Sequence, residues 1–216
     1  MPPGKHIPTT KRQYHHGDLK SALLQAAESV LEDKGVAGFT LRECARRAGV
    51  SHAAPAHHFR DVQHLLTVMA TVAFERLNTS MRERREQAGN DPKAALQAIG
   101  EGYIAFASNN PQHFALMFRP QLLDRDDPAF KKEAQSAFTA LATALSALHG
   151  GKAPLTHTAG RTDLILFWSV VHGFSQLYLE GKFRPDTPGL GADMQLETLA
   201  RQMLQRLLEL FPSTPA

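Results

Sequence analysis

Cysteine is almost absent: the 216-residue chain has one, Cys44. A lone thiol forms no intrachain disulfide and excludes a zinc site built on cysteines. A reducing, cytoplasmic setting fits that usage. Aromatic residues are scarce at 7%, with one tryptophan and three tyrosines. Long apolar runs are missing too. The longest, residues 164–174, is interrupted by Ser169, His172 and Gly173, far short of the ~20 residues that span a bilayer. The polar opening stretch, residues 1–13, lacks the apolar core of a secretory signal. No phosphate-cradling P-loop, nucleotide-binding glycine motif or Gly-x-Ser-x-Gly nucleophile motif occurs. No catalytic residue and no cofactor is therefore expected. His15-His16 and His57-His58 are adjacent pairs, but neighbouring side chains on a helix point about 100° apart and do not readily share an ion. No metal is expected either.

What is present is ordinary in amount and uneven in place. Hydrophobic residues make up 43% of the chain and charged residues 21%, as in a globular protein, with a net charge of +3. Residues 1–60 carry nine Lys/Arg against five Asp/Glu, and six of the eleven histidines. The remainder carries fifteen bases and sixteen acids. A basic, histidine-rich N-terminal quarter points to a polyanionic partner.

Every periodic segment reads as helix, and the fold class is all-α. Leu19, Ala22, Leu23, Ala26, Ala27, Val30 and Leu31 follow helical spacing, with Asp18 as the expected N-cap and Gly35 as the stop. Thr40-Leu-Arg-Glu43 has the pattern of a capping box opening a short helix that Gly49 ends. Its inner face would be Leu41, Cys44, Ala45 and Ala48. A third short helix is expected over residues 52–58, capped by Ser51. A long helix follows over residues 61–87, and five more run to the C-terminus, separated by Pro- and Gly-rich breaks. The expected organisation is a tail at 1–13, a three-helix head at 14–60 and a larger helical body at 61–216.

Two short helices joined by Ala48-Gly49-Val50-Ser51 fit a helix-turn-helix. Gly49 permits the tight turn, Val50 fills the space between the helices, and Ala45 lets them approach. The second helix would then lie in the major groove of duplex DNA with its first residues at base edges. Thr40 and Ser51 sit at helix N-termini, where free N–H groups and the dipole favour phosphate.

Tyr14-His-His-Gly-Asp-Leu19, Phe39-Thr-Leu-Arg-Glu-Cys-Ala-Arg-Arg-Ala-Gly-Val-Ser51 and His52-Ala-Ala-Pro-Ala-His-His-Phe59 together resemble the DNA-binding head of TetR-family transcriptional regulators. In the body, Phe167-Trp-Ser-Val-Val-His-Gly-Phe174 is similar to the Trp…His-Gly segment of one branch of that family. The resemblance implies a homodimer that binds a palindromic operator and leaves it when a small molecule enters the body. Carried onto this chain, it puts Thr40 and Arg42 at phosphates. Ser51, His52, Ala53, Ala54, His57 and His58 then fall on the recognition segment. Two positions depart from the family pattern: Ala56 stands where a phosphate-binding Tyr is common, and Val62 where a Lys is common. Each lost contact should lower affinity and flatten its salt dependence.

In the body, the helix around residues 156–180 has too many apolar residues for one face. Its cover would be a second subunit, giving a four-helix bundle with the last helix, or else the preceding helices of the same chain. Tyr103, Phe106, Phe114, Met117, Phe118, Phe138, Trp168 and His172 suit an apolar pocket with few polar anchors, or simply a core. A pocket so lined would take a small hydrophobic effector. The rival readings are a small all-α enzyme or scaffold that uses the head only for docking, and a DNA-compacting protein with no ligand.

Overall fold

The computed structural model of the chain describes residues 16–183 and 195–211. Among them lie eight α-helices joined by turns and short 3-10 segments. The basic residues Lys5, Lys11 and Arg12 of the expected tail fall outside the described residues. The chain divides into two compact units between Val62 and Gln63. No helix among the described residues is long and apolar enough to cross a membrane.

The first unit holds α1 (His16–Lys34) and α2 (Leu41–Arg47). Leu23, Ala26, Ala27, Val30 and Leu31 are buried on the inner face of α1. Helix α1 begins at His16, two residues before the expected cap position. Gly35, at φ 63°, ends the helix, its N–H donating to the Leu31 carbonyl at 2.9 Å. Cys44 and Ala45 of α2 are fully buried against it.

Half of the expected capping box forms. The Glu43 N–H donates to Thr40 Oγ1 at 3.2 Å. The Glu43 carboxylate turns instead to three cations: it accepts from Arg46 at 2.7 and 2.8 Å and from Arg47 at 3.2 Å, and pairs with Lys34 at 3.1 Å. Charge-assisted bonds outcompete the neutral backbone donor that a capping box would offer. Arg47 then reaches across to α1, donating to the Ser29 carbonyl and hydroxyl at 2.9 and 2.8 Å and to Asp33 at 2.5 Å.

The expected helix over residues 52–58 is a single 3-10 turn, Ala54–His57. Ala53 stands at its N-cap position, without a side-chain cap bond. The Ser51 carbonyl, not its hydroxyl, accepts the Ala54 N–H, at 3.0 Å. Pro55 explains the difference. It donates no N–H, and its ring drives the preceding residue away from α geometry.

The second unit begins with α3 (Val62–Gln87), followed by α4 (Pro92–Asn109), α5 (Pro111–Met117), α6 (Pro128–Leu148), α7 (Thr158–Leu179) and α8 (Leu196–Glu209). Prolines open α4, α5 and α6, where a missing N–H costs nothing. Asp91 and Asp127 cap α4 and α6, accepting from Ala94 at 2.7 Å and Phe130 at 2.9 Å. His157 caps α7 through Nδ1, which accepts the Gly160 N–H at 2.9 Å.

Helix α4 is the hub, packed by α6, α7 and α8. Its small residues make this possible. A Cβ on Gly100 would lie 2.7 Å from Leu204 Cδ2 of α8 and 3.0 Å from Phe167 Cζ of α7. A Cβ on Gly102 would lie 2.8 Å from both Met81 Cα and the Ser80 carbonyl of α3. The Ser80 hydroxyl in turn donates to the Gly102 carbonyl at 2.9 Å. In α7, Leu164, Phe167, Val171 and Phe174 are buried, but Ile165 is 61% exposed and Trp168 and Leu177 are each 44% exposed. The preceding helices of one chain therefore do not cover this helix on every side.

Because backbone rather than a flexible side chain blocks a Cβ at residue 102, Gly102→Ala should destabilise the body by about 1–3 kcal/mol. Urea unfolding should show a lower midpoint with an unchanged slope. An unchanged midpoint would mean that α3 and α4 separate without cost.

Candidate functional site

The head presents a small exposed surface around its turn. Thr40, Arg42, Ser51, His52, Ala53 and His57 are all exposed, and His58 is half-buried. Ala54, expected to face bases, is 8% exposed and turned into the head core beside Pro55. His57, three residues further on, is exposed, so the two residues expected on one DNA-facing side are not exposed together. Ala56 and Val62 are exposed too, so two positions that could carry phosphate donors carry small apolar groups.

Electrostatics single out one arginine. Of the three in α2, Arg46 and Arg47 are committed to Glu43 and Asp33, and Lys34 is paired with Glu43. Arg42 alone forms no ion pair among the described residues and points to solvent. Arg42 and Thr40 therefore flank the start of α2 as a cation and a hydroxyl available to a phosphate. Nothing in the sequence distinguishes Arg42 from Arg46 and Arg47, because the partners lie on another helix.

The body contains a cavity of about 480 Å³. Its walls come from α3 (Phe74, Leu77, Met81), α4 (Ile99, Gly100, Tyr103), α5 and the loop after it (Met117, Phe118, Leu123, Arg125), α6 (Phe130, Phe138, Leu141) and α7 (Phe167, Trp168, Val171). Five of the eight sequence candidates line it: Tyr103, Met117, Phe118, Phe138 and Trp168. Three do not. Phe106 and Phe114 are buried behind the wall as packing, Phe114 edge-on to Tyr103 with ring centres 5.6 Å apart. His172 stands behind the wall, its ring edge-on to Phe118 with centres 4.5 Å apart and its Nδ1 2.9 Å from the Tyr103 hydroxyl. The α3 contribution was readable in the sequence only as a core face. Arg125 carried no signal at all, because it lies in an irregular loop.

The polar groups of the wall are few and mostly satisfied. Burial raises the Tyr103 phenol above its ordinary pKa, so it stays protonated and shares a hydrogen bond with His172 Nδ1 at 2.9 Å. The Trp168 indole N–H bonds the same phenol. Burial lowers the His172 pKa, which favours the neutral ring. Among the described residues, the cavity thus has no cation inside. Its floor is a closed Trp168–Tyr103–His172 hydrogen-bond chain.

A helix-turn-helix head followed by an all-α body with an apolar cavity is the arrangement of a class of helical DNA-binding regulators. Residues 23–69 match the model of the bacterial regulatory proteins of the tetR family. Residues 96–207 match the tetracyclin repressor-like C-terminal domain. The chain belongs to the TetR family of DNA-binding transcriptional regulators. Among solved structures it is similar to a protein of unknown function from Rhodococcus sp. RHA1, with 28% identity, a TM-score of 0.72 and coverage of 93% of this chain and 97% of that one. It shares its fold with the TetR-family transcriptional regulator PfmR from Thermus thermophilus (22% identity, TM-score 0.60, coverage 87% and 97%). The same holds for a TetR-family regulator from Bordetella parapertussis (18%, 0.65, 91% and 96%).

The Glu43 cluster that shapes the head is sensitive to acid. Hydrogen bonds from Arg46, then Lys34 and Arg47, hold the Glu43 carboxyl far below its ordinary pKa of 4.5. A lowered folded-state pKa stabilises the fold above that ordinary value, and the contribution is lost as the pH falls toward the lowered one. Glu43→Gln should therefore melt below the wild type at pH 7, with the gap narrowing as the pH drops below 4.5. Equal melting temperatures at pH 7 would show that the cluster is ornamental.

Proposed function

We propose that this protein is a homodimeric cytoplasmic repressor that binds a palindromic operator and is released from it by a small hydrophobic molecule. The observation that carries the reading is the pairing, in one chain, of an exposed helix-turn-helix surface with an apolar cavity in the body. In this reading Thr40, Arg42 and Ser51 meet phosphates, while His52, Ala53 and His57 face base edges, with His58 at the margin. Alanine methyls suit thymine methyl groups, and a histidine N–H suits guanine acceptors. Protein–DNA contact of this kind involves no catalytic chemistry.

The exposed Ile165, Trp168 and Leu177 on α7 support a dimer face. Gly173 lies on the same helix, and a Cβ there would meet nothing within 4 Å, leaving room for a close helix approach. A two-fold dimer would set two heads against half-sites about 34–36 Å apart, one turn of DNA. Release then requires only that the effector prefer a body conformation that spoils this spacing.

One hydrogen bond suits the coupling role. Thr67 is buried on α3 and donates its hydroxyl to the Gln63 carbonyl at 2.7 Å. The same oxygen accepts the Asp124 N–H at 2.9 Å. Asp124 lies between Leu123 and Arg125, both on the cavity wall. Movement of that loop by a ligand would be felt on the first turns of α3, the helix that continues from the head.

Two experiments test the reading. Selection from random DNA, followed by gel shifts against a panel of hydrophobic compounds, should yield one palindromic site and at least one releasing compound. Sequence-independent binding that no compound relieves would favour a DNA-compacting protein instead. Ser51→Ala combined with His57→Ala should abolish binding to the selected site while the dimer persists in size-exclusion chromatography. Thr67→Val should keep operator and compound binding but require more compound for release. Release at wild-type concentrations would remove Thr67 from the path.

A further inference from the structure

We propose that the effector is a hydrophobic carboxylate, inserted tail first, with its charge held at Arg125 on the cavity rim. This rests on the reading of the cavity as an effector site and adds the polarity of the ligand. The argument is an account of hydrogen-bonding capacity. At the Tyr103 side of the wall the polar groups already engage one another: the Tyr103 hydroxyl lies 2.9 Å from His172 Nδ1 and is bonded by the Trp168 indole. A carboxylate inserted there would meet no cation and would have to compete with His172 for the Tyr103 hydroxyl. The rest of the floor, Phe74, Leu77, Ile99 and Phe167, is apolar. The buried end of the ligand must therefore be hydrocarbon.

Arg125 is the one charged side chain on the described wall, and it is exposed at the loop. The acids around it are occupied. Asp126 pairs with Lys131 at 2.7 Å, Asp127 caps α6, and the Asp124 carboxylate accepts the Asp126 N–H at 3.0 Å. The Arg125 charge is felt by the neighbouring Asp126, but that carboxylate bonds Lys131, and the guanidinium offers a fork of donors that suits a bidentate carboxylate. A neutral lipophile would leave that fork unused, and a cation would be repelled by it. A carboxylate buried at the Tyr103 end would have no cation to meet. The charge consequently belongs at the rim and the chain inside.

The chain's single tryptophan lines the cavity, so its fluorescence reports occupancy. Titration with dodecanoate, dodecanol and dodecyltrimethylammonium, each below its micelle concentration, should rank the carboxylate first, about tenfold tighter than the alcohol. Arg125→Gln should erase that preference and leave the alcohol's affinity unchanged. Ala137→Phe, which fills the cavity, should weaken all three. Equal affinity for carboxylate and alcohol in the wild type would overturn the proposal while leaving the cavity an effector site. Failure of all three probes to bind, or binding that survives Ala137→Phe, would overturn the effector-site reading and the proposal with it.

Discussion

The body of this protein depends on how closely other helices approach α4. At Gly100 and Gly102 there is no room for a single carbon beyond the backbone: α8 and α7 press on one, the backbone of α3 on the other. Close approach at these two points sets the spacing of the surrounding helices. Beside them, larger side chains of α3, α4, α6 and α7 line the cavity. Tight packing in one place and a chamber in another are thus two results of one arrangement. Protein interiors leave few voids, so a chamber of this size implies that the surrounding helices are held apart elsewhere by rigid contact.

The head is organised by charge rather than by glycine. Glu43 gathers Lys34, Arg46 and Arg47 around a single carboxylate, and Arg47 ties the cluster to Ser29 and Asp33 on α1. The cluster spends three of the cations that make the N-terminal quarter look basic. Charge counting along the chain therefore overstates what is free to meet a phosphate. What remains near α2 is Arg42, beside the Thr40 cap, and the histidines of the following turn. In the proposed reading, alanine at 56 and valine at 62 would leave the DNA-facing surface with fewer charged contacts. Affinity built that way varies less with salt.

The cavity completes the same logic. Its polar residues are satisfied by one another, so the wall behaves as hydrocarbon except at the rim. Tyr103 and His172 lie 69 positions apart in the sequence, yet they form the single strong hydrogen bond of the floor. Thr67 and Asp124, 57 apart, connect the rim loop to α3. Each of these contacts joins a ligand-facing element to a helix that has another task.

Much of the fold was legible from the chain alone. Helical periodicity, Asp-Pro starts and glycine stops placed all the long helices to within a few residues, because those signals act within one turn of backbone. The Thr40 cap and the Gly49 turn were legible for the same reason. Where a proline altered hydrogen bonding, the local pattern misled: an α-helix expected over residues 52–58 became one 3-10 turn, and Ala54 moved from the surface to the core. Which arginines are spent, which aromatics line a chamber and which only pack behind it, and where Arg125 stands were decided by tertiary structure. Such properties depend on neighbours tens of residues away, and no spacing rule along the chain encodes those distances.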